Sequence, residues 1–154
     1  MVGGIATDCM ARAPKLPAPG STVLGDRFGE SPGGKGANQA LAARRLGGRV
    51  ALIGRAGADA RGDIALARLN GEGVDARYVV RDDSAATGVV LIQLDQDGTT
   101  QMLAVRGAND RLAVSDLEAA AELFAAPRAV LVQLEIPSPS SRGRSSSVAT
   151  PARA

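Results

Sequence analysis

A chain of 154 residues with no histidine and a single cysteine, Cys9, excludes histidine triads, Cys/His zinc centres and an internal disulfide. Hydrophobic residues make up 45% and aromatic ones only 2%, so Ala, Val, Leu and Ile must build the core, each with modest area to bury. The formal charge of +2 comes from Arg142, Arg144 and Arg153 in residues 138–154, which carry no acid. The rest is near neutral and asks for neither nucleic acid nor an anionic membrane.

Residues 1–5 read as the end of a short strand entering a loop, with Cys9 beyond it as a packing residue rather than a nucleophile. Pro14, Pro17, Pro19 and Gly20 form a turn-rich connection. Residues 39–46 are rich in Ala and Leu and predict a helix stopped by Gly47 and Gly48. Residues 50–53 predict a short apolar strand, 61–70 a helix closed by Gly71 and Gly73, and 77–80 a further strand. Two β-rich runs, 88–94 and 99–105, flank Asp95-Gln96-Asp97-Gly98 and predict a hairpin with Asp-Gly as its turn. Ser115 and Glu118 have capping-box spacing and predict a helix over 116–125. The apolar run 129–134 predicts a strand buried on both faces of a parallel sheet.

Strands alternating with helices predict an α/β fold with a hairpin outside the parallel sheet. Residues 138–154 hold only Ser, Pro, Arg, Gly, Ala and Thr apart from Val148, and predict a disordered tail. The reading is therefore one domain over 1–137 and a tail. No apolar run is long enough to span a bilayer and Met1 opens no signal peptide, so a cytoplasmic protein is expected.

The chemistry concentrates in Gly33-Gly34-Lys35-Gly36-Ala37-Asn38. Glycines ahead of a helix give a ligand access to backbone amides and to the positive end of the helix dipole. Gly29, Gly34 and Lys35 fit the P-loop spacing, but Gly36 stands where a Ser or Thr should hold magnesium, and no buried strand precedes the run. A P-loop is therefore rejected.

The run from Gly33 to Ala40 resembles the N-terminal signature of the ribokinase family of carbohydrate kinases. Gly47 and Gly57 fall at its downstream positions. Gly57-Ala58-Asp59-Ala60-Arg61-Gly62 is similar to the family's G-x-D-x-x-G turn, and residues 16–22 to its P-x-P-G-E-T segment. Thr87-Gly88-Val89 and Gly107-Ala108-Asn109 bracket the hairpin as in ribokinases, and Gln133-Leu134-Glu135 matches the strand end that carries a sugar-binding carboxylate. The form of the glycine run is closer to ribokinases than to fructokinase or adenosine kinase relatives.

This resemblance implies a ribokinase-like parallel sheet flanked by helices, with a small β lid of which the hairpin at 88–105 is half, and with the C-terminal part of the fold missing. It implies ATP-dependent phosphorylation of a sugar, ribose to ribose 5-phosphate, with Mg and K as further cofactors. The implied sugar contacts are Asp8, Gly34, Lys35, Gly36, Asn38 and Glu135. Each has a plainer reading alone: Asp8 as a turn cap, Asn38 as a helix residue, Lys35 as solvated, Glu135 as a surface strand end. Their shared order favours sugar contact. Ala6 departs from the pattern, standing where the family carries an Asn, and this opens the reading to another sugar or a nucleoside.

The Gly-Ala-Gly-Asp motif that supplies the family's catalytic base is not found, nor are the segments for ATP, magnesium and potassium. The expected chain is a sugar-binding part without the catalytic half, inactive alone; a non-catalytic sugar-binding module is the rival. The resemblance also allows a homodimer through the lid.

Overall fold

The computed structural model describes residues 1–137; the expected tail lies outside them. The core is a small parallel arrangement. Val2 bridges in parallel to Ile53 on one side and to Val132 on the other, and Ala51 bridges to Asp75. Beyond Ile53, strand β3 (Gly54–Gly57) pairs in parallel with β4 (Val79–Asp82).

Two apolar clusters cover this arrangement. Helices α1 (Lys35–Arg45) and α2 (Ala60–Gly71) bring Ala37, Ala40, Leu41, Ala65 and Leu69 onto Ile5, Leu52, Val74 and Val79. The second cluster joins Val2 and Ile53 to Leu112 and Ala120, with Leu117 and Leu123 packed against it. Leu52 and Ile53 fall into different clusters, as neighbours on an extended chain must. Most of the first cluster is Ala, Val and Leu, the packing that a chain with few aromatics requires.

The lid is a separate sheet in the order β2-β1-β5-β6. The predicted hairpin is present as β5 (Gly88–Leu94) and β6 (Thr100–Val105). Its turn is tightened by Asp95, whose Oδ1 accepts from the amides of Asp97 at 3.0 Å and Thr99 at 2.8 Å, and by Gly98 at φ +85°. The remaining lid strands correct the sequence reading. Residues beyond Ile5 do not enter a loop: β1 (Ala6–Arg12) runs parallel to β5 and antiparallel to β2 (Arg27–Gly33). Strand β2 holds Gly, Glu, Ser and Pro and is mostly exposed, so it carries no hydrophobic alternation. Pairing with β1 makes it a strand, not propensity.

Three further expectations are corrected. Helix α1 starts at Lys35 rather than at residue 39, which places Gly36 in its first turn. The capping box on Ser115 does not form. Helix α3 (Val114–Glu118) begins after Ala113, whose amide donates to Asp116 Oδ2 at 2.9 Å, and a 3-10 turn over Ala121–Phe124 follows. The run 129–134 is not buried on both faces. Val2 donates to the Leu131 carbonyl at 2.8 Å and accepts from the Gln133 amide at 2.9 Å, yet Leu131 and Val132 are 52% and 56% exposed. Among the described residues, no strand pairs with its outer side.

An ion network ties the elements beneath the lid. Arg55 on β3 donates Nη1 to Asp82 at 2.9 Å, and Nε and Nη2 to Asp116 at 2.7 and 2.9 Å. Asp82 also accepts from Arg111 Nε and from the Ser84 amide and hydroxyl. These bonds, the Ser84 hydroxyl first, hold the Asp82 carboxyl far below the usual carboxylate range. Burial alone would raise Asp116, but Arg55 and the Ala113 amide hold it below its usual value. Both folded values are depressed, so the stabilisation is full above the ordinary carboxylate range and is lost as pH falls from that range down through the lower folded values. Arg55→Ala is expected to lower the melting temperature by about 5 °C or more at neutral pH, since Asp116 keeps only the Ala113 amide and Asp82 only Arg111 and Ser84. The same variant should lose less of its remaining stability on acidification than the parent, as thermal melts across pH would show.

Candidate functional site

Four crossings join core to lid: Ile5 into β1, β2 into Gly34, Thr87 into β5, and β6 into Gly107. The predicted site residues gather at two of these crossings and at the end of the 129–135 run. Gly34 turns the chain from β2 into α1 with φ +90°. A Cβ there would lie 2.6 Å from the Ala6 amide nitrogen and 2.7 Å from the Gly4 carbonyl oxygen. Gly36 sits equally close to the backbone of Gly3 and Gly4, and the Ala37 amide donates to the Gly4 carbonyl at 3.1 Å. Both glycines thus let the N-terminus of α1 lie directly on the strand that leads to Asp8, besides leaving that turn free of side chains.

Gly34 offers α1 no side-chain cap. Glu135 does so from 100 residues away: its Oε2 accepts from the Lys35 amide at 3.0 Å, and its Oε1 forms an ion pair with Lys35 Nζ. A lysine in the first turn opposes the helix dipole, and a carboxylate there offsets it. Burial would raise the Glu135 carboxyl, yet Lys35 and its amide hold it below the usual value, so it is charged at neutral pH.

Asp8 faces this pair from β1. It is half-buried, and among the described residues no donor reaches its carboxylate. Burial first, and then the charge of Glu135, raise its pKa against the pull of Lys35. Two carboxylates and an ammonium therefore share one corner, with one carboxylate free to accept. Asn38, one turn beyond Lys35, is exposed and bonds through its amide to the Gly34 carbonyl at 2.9 Å. Its side chain forms no hydrogen bond among the described residues. Asp8, Gly34, Lys35, Gly36 and Glu135 are thus brought together, with Asn38 at the rim. Two hollows on the lid, of about 120 and 210 Å³, are lined by other residues.

The sequence reading placed Asp59, Thr87 and Asn109 in family-like motifs but gave them no part in holding the crossings in place. Asn109 is 4% exposed. Its Oδ1 accepts from the Ile5 amide at 2.8 Å, and its Nδ2 donates to the carbonyls of Ile5 at 2.7 Å and Arg106 at 2.8 Å. Asp59 caps α2 by accepting from the Gly62 amide at 2.8 Å, and it also accepts from the Thr87 hydroxyl at 2.6 Å and amide at 2.8 Å. The Thr87 hydroxyl in turn accepts from the Gly57 amide at 3.0 Å. The sequence signal was their place in those motifs, polar residues beside glycines, which says nothing of what they bond.

Comparison with known proteins agrees with this architecture. Residues 1–152 match the family described as pfkB family carbohydrate kinase, so the match runs past Pro137, where the sequence reading ended the domain. Ribokinase from Bacillus subtilis is 37% identical over 140 residues, covering 89% of this chain and 46% of that protein. Mouse ribokinase is 33% identical over 136 residues, 88% of this chain and 42% of that one. The structure of Arabidopsis thaliana ribokinase, complexed with ribose and ATP, superposes with a TM-score of 0.75 at 32% identity, covering 88% of this chain and 45% of that one. The chain thus spans a little under half the length of the relatives it matches. With a lid sheet on a parallel core, the Gly33–Asn38 run at their junction and a family match along nearly its whole length, the chain belongs to the pfkB family of carbohydrate kinases.

Proposed function

We propose that this chain forms the sugar-binding side of an ATP-dependent sugar kinase of the ribokinase type, with ribose as the acceptor. The observation that carries this reading is Asp8: a half-buried carboxylate with raised pKa and no donor among the described residues, facing the Lys35–Glu135 pair. A sugar presents neighbouring hydroxyls that donate and accept. Asp8 and the remaining lone pairs of Glu135 accept from them, while Lys35 and Asn38 donate. Gly34 and Gly36 keep the turn low enough for a sugar to lie against it. The four-stranded lid excludes water on closing, which protects the phosphoryl group from hydrolysis. Ribose and ATP in the Arabidopsis relative support this assignment.

The base, the ATP site and any Mg or K would belong to the part of the relatives' length that this chain does not span. Among the described residues no group of three or more His, Cys, Asp or Glu side chains could hold a metal ion. A pairing of lids between two copies fits the exposed Met102, Leu103 and Val105 on β6, and a cytoplasmic setting follows from the same family reading.

Ribose calorimetry on the purified chain tests the proposal. Binding is expected, Asp8→Ala should weaken it at least tenfold, and the chain alone should turn over no ATP. Affinity should fall as pH drops through the raised Asp8 pKa, at higher pH than an ordinary aspartate would dictate. A folded chain that binds no ribose at any pH would overturn the reading.

A further inference from the structure

Gly33, the last residue of β2, pairs with Ala6 and is buried. A Cβ built on it would lie 2.5 Å from the Asp8 carboxyl carbon and 2.6 Å from Oδ1, with Oδ2 closer still, and these are its three nearest neighbours. The Asp8 carboxylate thus lies flat on the backbone of β2. Gly29, four residues earlier on the same strand, faces open space. Gly33 is not in the left-handed region, so its backbone accepts any residue. What a side chain would disturb is Asp8.

We propose that Gly33 is a positioning residue for Asp8: its bare backbone is the shelf on which the carboxylate rests, and a methyl group there drives the carboxylate away from Lys35 and Glu135. Two features separate this role from ordinary packing. The obstacle is the end of a short flexible side chain, so an alanine is accommodated by rotating Asp8 rather than by moving β2. The displaced carboxylate also leaves the half-buried corner that raises its pKa. The value of Asp8 to a sugar rests on the function proposed above; its placement by Gly33 is read without any sugar.

The experiment is a carboxyl-carbon NMR titration of the full chain as parent, Gly33→Ala and Gly29→Ala. Asp8 should titrate above the usual aspartate range in the parent and in Gly29→Ala, and move back toward that range in Gly33→Ala, with little change in melting temperature. An unchanged Asp8 titration in folded Gly33→Ala overturns the proposal. If Gly33→Ala does not fold, the double variant Asp8→Ala/Gly33→Ala decides. Recovered folding shows that the carboxylate was the obstacle, and a double variant that stays unfolded overturns it. A shifted Asp8 in a protein that never binds ribose would uphold the shelf and sink the sugar reading alone.

Discussion

Gly34→Ala is expected to cost about 4 kcal/mol or more of folding free energy, a large share of a small domain's total. Two effects add. The residue sits at φ +90°, where a Cβ is strained, a penalty of about 1–3 kcal/mol. The new methyl would also press on the Ala6 nitrogen, the Gly4 carbonyl oxygen and the Ile5 Cα, all at 2.6–2.7 Å. Those atoms are backbone of the central strand and its exit into the lid, so no rotamer change relieves the contact. Urea unfolding of parent and variant measures the loss. Gly47→Ala provides the comparison: it shares a positive φ of 88° but meets nothing within 4 Å, so it should show the strain alone. A Gly34→Ala loss no larger than that of Gly47→Ala would refute the close-packing argument.

Asn109→Ala should cost about 3 kcal/mol or more, because it takes away the buried Ile5 amide's acceptor and the side-chain donor to the Ile5 carbonyl and opens a small void, while the Arg106 carbonyl keeps the backbone amide of residue 109. Aspartate is not a conservative replacement. Its carboxylate still accepts from the Ile5 amide but confronts the carbonyls of Ile5 and Arg106 with a second acceptor, and it buries a charge. Asn109→Asp should therefore be at least as damaging as Asn109→Ala. A local signature accompanies the global loss. Asn109 bonds a residue 104 positions away and joins the exit from β6 to the entry of β1, so hydrogen exchange at Ile5 and along β1 should accelerate more than along α2. Uniform acceleration across the chain would mean that Asn109 is an ordinary core residue and not a brace at the lid crossing.

Both predictions concern the seam between lid and core, where local sequence is least informative. Helix α2 was legible because its closing signal is local: Gly71 and Gly73 end it, although its Asp59 cap was not read as one. The β5–β6 hairpin was legible for the same reason, since Asp95 and Gly98 set its turn within five residues. The glycine run and its neighbours also revealed the family and singled out the residues that meet at the Asp8–Lys35–Glu135 corner.

Tertiary structure decided the rest. Strand β1 exists because it pairs with β2 and with β5, and β2 because it pairs with β1, and the glycine, proline and charged residues of β2 give no warning of it. Apolar character made 129–134 a strand in the sequence reading, but burial depends on what packs against a segment, and among the described residues its side chains stay largely exposed. The sequence could nominate Asp8, Lys35 and Glu135, but not that Glu135 caps the Lys35 helix from 100 residues away, nor that Asp8 lies on Gly33. Residue type and spacing govern helices and turns, whose bonds close within a few residues. Pairings between distant segments, and the fields that shift carboxyl groups, arise only once the chain has brought those segments together.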